Sequence, residues 1–182
     1  MVYLSCDRRQ TDFIRTLDTE IAELNRAIPN FELVYPSRDE GTGFVEENVL
    51  RLQEADVVVF DITPTVSGSS TTYNAGVMIE YGMFLSLEKP RFGNPWGGRQ
   101  PKPSHRIYAE SPFERSTLTP IIKESSVRTY ETSQGGLETL ASELRNLLST
   151  QAAAVMAFAA RLNSSMATTP QLYRYPYAFN TS

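Results

Sequence analysis

The run Ala55 to Pro64, ADVVVFDITP, decides how the chain is read. Val57, Val58, Val59 and Phe60 follow one another without polar alternation, which marks a parallel strand covered on both faces. Parallel strands are joined by crossovers that are usually helical, so helical patterns are expected on either side. Upstream, Val2 to Ser5 reads as a first buried strand, followed by the loop Cys6 to Arg9. Phe13, Ile14, Leu17, Ile21 and Leu24 recur at helical spacing between Gln10 and Ala27. Phe31 to Tyr35 is a second strand, Ser37 to Gly43 a polar loop, and Phe44 to Glu54 a short amphipathic helix. Downstream, 73–90 (YNAGVMIEYGMFLSLEKP) reads as one helix, opened by the cluster Ser69 to Thr72 and closed before Pro90. Arg91 to Pro103, around Trp96, has the Gly/Pro density of an irregular loop. His105 to Ala109 and Val127 to Tyr130 are fourth and fifth strands, with a short helix near Thr117 to Glu124 between them. Leu140, Leu144 and Leu147 share one face of a helix over Leu137 to Leu148 that can run on to about Leu162. Strands alternating with helices predict an α/β three-layer sandwich on a five-stranded parallel sheet, flavodoxin-like or Rossmann-like.

At 182 residues, 41% apolar and 21% charged, the chain has an ordinary globular composition and enough length for a real core. Its net charge of −4 and the absence of a Lys/Arg run argue against nucleic acid as the main partner. One cysteine, Cys6, excludes an internal disulfide framework and suits a reducing compartment. The sequence contains no 18-residue apolar stretch and opens on no signal-like segment, so no membrane partner and a cytoplasmic location are expected.

Chemistry narrows onto one glutamate. Between Asp61 and Glu88 the only charged residue is Glu80, with Gly76, Val77, Met83 and Phe84 as its helical neighbours. A carboxylate in that setting is paired, used in a pocket, or tolerated at the helix rim. Gly76 and Gly82 each weaken the helix by roughly 1 kcal/mol relative to Ala, which fits a close approach to the backbone. In the predicted sheet, ligands bind beyond the carboxyl ends of the strands, a rim that gathers Ser5 to Arg9, Asp61 and the start of the Glu80 helix. G-x-x-x-x-G-K-[ST], G-x-G-x-x-G and G-x-S-x-G are all absent. With a single histidine, His105, and a single cysteine, neither a Cys/His metal site nor a histidine-based nucleophile arrangement is expected, and no cofactor is called for. What remains is carboxylate chemistry at a centre that becomes oxocarbenium-like, as in cleavage of an N-glycosidic bond.

The segment 55–90 resembles the core of the nucleoside 2-deoxyribosyltransferase family. There a strand ending in Asp-[Leu/Ile]-[Thr/Ser]-Pro leads to a helix bearing Glu-x-Gly, matched here by Asp61 to Pro64 and by Glu80 with Gly82. The resemblance implies that Glu80 is the nucleophile, that Asn74 takes the base-contact position, and that Asp56 or Asp61 is the strand-borne acid near the nucleobase. Asn74 departs from the acid usual in that family, and the loop Ser5 to Arg9 lacks its Gly-rich turn. That loop, and the segment Pro120 to Tyr130, look instead like TIR-like domains and bacterial TIR-like nucleotide-binding proteins. Their resemblance implies cleavage of NAD at the nicotinamide ribosyl bond, often in antiviral signalling.

The expected substrate is therefore a nucleoside, a nucleotide or NAD, with Glu80 acting at the anomeric carbon and 1–149 as the catalytic domain. Ser5, Arg8, Ser69, Asn74, Gly76, Asp56 and Asp61 are the candidate substrate contacts. Arg8 and Arg9 are candidate phosphate contacts or plain loop arginines. Ser67, Ser69 and Ser70 either hold a phosphate or sugar oxygen or cap the helix. Tyr73 and Tyr81 either stack on a base or pack in the core, and Trp96 is either a lid or a loop anchor. Beyond Ser149, in 150–182, a nearly uncharged helix carries Val155, Met156, Phe158 and Leu162. It is either a helix laid back over the core or a floppy end, or else a contact in a homo-oligomer, and a homo-oligomer is expected. A binding or assembly module of TIR-like fold, without turnover, is the alternative to an enzyme.

Overall fold

The computed structural model describes residues 1–27, 31–36, 44–67, 70–87, 104–113, 122 and 127–168. Its elements are β1 (Val2–Ser5), α1 (Thr11–Ala27), β2 (Leu33–Val34), α2 (Phe44–Glu54), β3 (Val57–Asp61), β4 (Thr65–Ser67), β5 (Ser70–Thr72), α3 (Ala75–Leu87), β6 (Ser104–Glu110), β7 (Val127–Tyr130) and α4 (Gln134–Thr168). Five strands form one sheet in the order β2-β1-β3-β6-β7, and every pairing in it is parallel. Counted along the chain this is the order 2-1-3-4-5, the doubly wound flavodoxin-like arrangement.

Side chains alternate across each strand, so the apolar run of β3 feeds two cores at once. Val57 and Val59 join Val2, Leu4, Tyr108 and Tyr130 under α1 and α4. Val58 and Phe60 join Tyr3, Ile107 and Val127 under α2 and α3. Leu144, fully buried on α4, packs in the first of these cores, and burying such a side chain is worth about 1.5–3 kcal/mol. Glu20 is buried on α1 and accepts Arg145 Nε at 2.7 Å and an Arg145 terminal nitrogen at 2.9 Å, which ties α1 to α4.

The observed strands and helices follow the sequence reading closely, with three differences. Thr65–Ser67 and Ser70–Thr72, expected to be loop and helix start, instead pair as an antiparallel hairpin in register Thr65↔Thr72. Their β-branched Thr and Val residues favour that extended form. The α3 helix begins only at Ala75, and β2 is reduced to two residues at the edge of the sheet. The last helix runs unbroken across Ser149 for 35 residues, about 52 Å. The loops Ser37 to Gly43 and Arg91 to Pro103, the helix expected near Thr117 to Glu124 apart from Ile122, Ser69, and the Leu162 side chain lie outside the described residues.

Candidate active site

The strand order reverses between β1 and β3, because the chain leaves β1 toward β2 on one side and returns to β3 on the other. The crevice beyond the carboxyl ends of those two strands is where such sheets place ligands. Ser5 ends β1, directly opposite Phe60 in the register. By alternation it shares the face of Tyr3, under α2 and α3. It is fully buried, and its hydroxyl has no hydrogen-bond partner among the described residues.

The α3 helix is apolar on nearly every side, so burial along it is decided by which residues face the sheet. Val77, Glu80, Tyr81 and Phe84, at spacings of three, one and three, are buried. Ile79, next to Glu80, is 58% exposed while Glu80 is 6% exposed. The helix thus turns a glutamate inward and an isoleucine outward, the reverse of what solvation alone would select. Glu80 lies beside Tyr3, whose hydroxyl is buried and held above the ordinary phenol range by burial first and then by the Glu80 carboxylate. The phenol is near enough to Glu80 to act as a donor toward its carboxylate, although the hydroxyl has no partner of strict hydrogen-bond geometry among the described residues. It stays protonated at neutral pH, and Arg51 on α2 lies near enough to offset part of the effect.

Asn48 is a further buried polar residue, on α2. It is fully buried at the position four residues before Leu52, on the same helix stripe. Neither Tyr3 nor Asn48 stood out in the sequence. Asn48 was discoverable as a polar residue at an apolar position of an amphipathic helix, whereas Tyr3 looked like any strand aromatic.

The mouth of the crevice is organised by Asn74. Its Oδ1 accepts the Gly76 N–H at 2.9 Å and the Val77 N–H at 3.4 Å, which caps α3. Its Nδ2 donates to Asp7 at 3.4 Å. A second carboxylate at position 74 would face Asp7, which gives a physical reason for Asn in place of an acid. Gly76 fits the same cap, since a Cβ there would come 3.2 Å from Asn74 Oδ1. Gly82 has open space where a Cβ would go, so no close approach within the chain requires it. Arg9 donates to Asp7 at 3.0 and 2.6 Å and to Thr65 Oγ1 at 2.7 Å, joining the β1 loop to the hairpin. These bonds, with a smaller contribution from Asn74, hold the Asp7 carboxyl well below the usual range. Arg9 is thereby committed, and Arg8 remains exposed without a hydrogen bond or ion pair among the described residues.

The two strand-borne acids stand apart from Glu80. Asp56 lies just before β3, at the amino edge of the sheet, and accepts the Met1 ammonium at 2.6 Å. Asp61 ends β3 on the other face from Phe60, under α1 and α4. It is 1% exposed and accepts Thr63 N at 2.9 Å, Thr63 Oγ1 at 2.5 Å and the Tyr130 hydroxyl at 2.7 Å. Burial pushes its carboxyl up to about 6, against the lowering effect of the Thr63 and Tyr130 bonds. Thr63 Oγ1 in turn accepts Glu110 N at 2.7 Å. Asp61 therefore ties together the carboxyl ends of β3, β6 and β7. Of the aromatic candidates, Tyr81 packs edge-on against Phe60 at 5.2 Å in the core, and Tyr73 is half-buried against the same core. His105 stacks at a tilt on Phe84 at 5.0 Å.

The structure thus gathers Ser5, Tyr3, Asn48 and Glu80 on one face, sets Asn74, Gly76 and Arg8 around the loops above them, and places Asp61 and Asp56 elsewhere. Among the described residues no group of His, Cys, Asp and Glu is arranged to hold a metal ion, and no helix is long and apolar enough to cross a membrane. Neither a family model, a curated protein nor a solved structure matches the chain.

Proposed function

We propose that the protein cleaves the N-glycosidic bond of a nucleoside, a nucleotide or NAD, by hydrolysis or base exchange, with Glu80 acting at the anomeric carbon. The observation that carries this reading is the inversion on α3: a glutamate buried beside Tyr3 while the adjacent isoleucine faces solvent. As the C1–N bond breaks, its electron pair leaves with the base and positive charge grows at C1. The Glu80 carboxylate stabilises that charge or closes an ester on C1, and water or a second base then takes the sugar. Tyr3, a protonated phenol beside the carboxylate, can donate to it and fix which oxygen faces C1. Ser5 offers a buried hydroxyl to the sugar at the carboxyl end of β1. Arg8 is the exposed cation at the mouth for a phosphate-bearing substrate. Asp61 and Asp56 have no part in this scheme, and Asn74 acts by setting the start of α3.

The test is release of free base, followed by chromatography, from NAD and a panel of nucleosides and deoxynucleotides. Glu80→Gln should lower turnover by at least about 10³-fold, as loss of a nucleophile does. Full activity of Glu80→Gln on a substrate that the wild type turns over overturns the assignment.

A second reading, an assembly module without turnover, is favoured by one feature. Beyond Ala152 the apolar side of α4 loses its cover, with Met156 55% exposed and Val155 and Phe158 only partly buried. Self-association in light scattering, without base release at any protein concentration, selects that reading.

A further inference from the structure

On the opposite face of the sheet from Glu80, the ends of β6 and β7 and the first turns of α4 enclose a cleft of about 380 Å³. That is the size of a small-ligand site. Three observations bear on what it holds. Tyr108, on its wall, is 1% exposed with its ring against Phe13 at 5.4 Å. Its hydroxyl lies near Glu143 and Arg128 and makes no hydrogen bond among the described residues. Burial and then Glu143 push it up to about 12, so it is a proton donor throughout the neutral range. The Tyr108 oxygen is not one of the buried unpartnered atoms, so the hydroxyl opens onto the cleft as a donor that a ligand entering it can use.

The two glycines at the start of α4 behave differently. A Cβ at Gly136 would fall 2.5 Å from the Glu131 carbonyl oxygen, so packing there requires glycine. A Cβ at Gly135 would meet nothing within 4 Å, yet Gly135 lines the cleft. Nothing in the packing calls for that glycine, and its bare backbone leaves the cleft open.

Charge then selects the ligand class. Glu143 is paired with Arg128 at 3.0 Å, and among the described side chains Glu131 accepts from the Ser133 hydroxyl alone, at 3.2 Å. Two carboxylates on the walls disfavour an anion despite the helix N-terminus. With one of them neutralised, a strong cation is not demanded either. Ser111, Thr129 and Thr139 add hydroxyls that donate or accept. We propose that this cleft binds a neutral polyol of free-sugar size, whose hydroxyls donate to Glu131 and whose oxygens accept from Tyr108.

The proposal is independent of turnover at Glu80, and amide chemical shifts of the isotope-labelled full chain test it. D-ribose should shift the Gly135 and Gly136 amides saturably, with a dissociation constant in the millimolar range. Tyr108→Phe, which keeps the ring on Phe13, should weaken binding at least tenfold without lowering the melting temperature. Gly135→Leu, which fills the cleft, should abolish it. Ribose shifts confined to residues around Ser5 and Glu80, unchanged affinity in Tyr108→Phe, or binding of ethylammonium or inorganic phosphate in place of ribose would each overturn the assignment.

Discussion

Asp61 makes stability depend on pH in a direction opposite to that of most acids. Its carboxyl is 1% exposed and is pushed up from 3.8 to about 6, chiefly by burial. The native state therefore holds this proton more tightly than the unfolded chain does. The stabilising contribution is complete below pH 3.8 and is lost as pH rises through about 6. The full span is about 3 kcal/mol at 1.36 kcal/mol per tenfold change in proton affinity. Between pH 4 and pH 7.5 about 2.4 kcal/mol of it is expressed. Other carboxyls titrate over the same range, so the measurement is the difference between wild type and Asp61→Asn. The amide suits the site: Oδ1 can accept from Thr63, and Nδ2 can donate to the Tyr130 hydroxyl, which still has Gln10 within 3.4 Å. Urea unfolding across that range should show the wild type losing about 2.4 kcal/mol relative to the variant as pH rises. Profiles that stay parallel to within about 0.5 kcal/mol, or that converge in the opposite sense, would refute the burial argument.

Other substitutions separate capping, packing and chemistry. Asn74→Ala should cost about 1 kcal/mol in urea unfolding through loss of the α3 cap, whereas Asn74→Asp should keep the cap acceptor yet still lose stability through the carboxylate it sets against Asp7. Gly82→Ala should raise stability by up to about 1 kcal/mol, since the position is exposed and open, while Gly136→Ala should lower it because its Cβ would collide with the Glu131 backbone. Tyr3→Phe should fold normally, because the ring keeps its place in the core, yet lower kcat by about 10- to 100-fold if the phenol positions Glu80. An unchanged kcat would reduce Tyr3 to packing.

The doubly wound sheet was legible because β3 is buried on both faces, and that leaves an unalternating run of Val and Phe that admits few other readings. The hairpin of β4 and β5 was not, because Thr, Ser and Gly serve loops, caps and exposed strands alike. The burial of Glu80 was legible from its lack of charged neighbours. The same reasoning failed to separate Asp61 from it, since eight residues of hairpin intervene between β3 and Asn74 and motif spacing does not report which sheet face an acid occupies. Alternation along β3 does report it: Phe60 packs on Tyr81 and Asp61 must then point the other way. Applied at the outset, that rule would have removed Asp61 from the Glu80 site.

Two of the buried acids, Asp61 and Glu80, differ in what surrounds them, and the difference bears on the roles proposed for them. Asp61 accepts three hydrogen bonds from Thr63 and Tyr130, which commits its oxygens and stitches three strand ends together. Such a carboxylate is poorly placed to act on a ligand, because any new contact must displace an existing one at a buried site. Glu80 sits in a different environment, with a protonated phenol beside it and the buried hydroxyl of Ser5 on the same sheet face toward the carboxyl edge. The Tyr3 and Ser5 hydroxyls, buried on one side of the sheet without a well-formed hydrogen bond among the described residues, cost stability that a purely structural core would avoid by using Phe and Ala. That cost falls on the side of Glu80 and at the strand-order reversal, which supports placing the proposed chemistry on the α2–α3 face rather than at the Asp61 network.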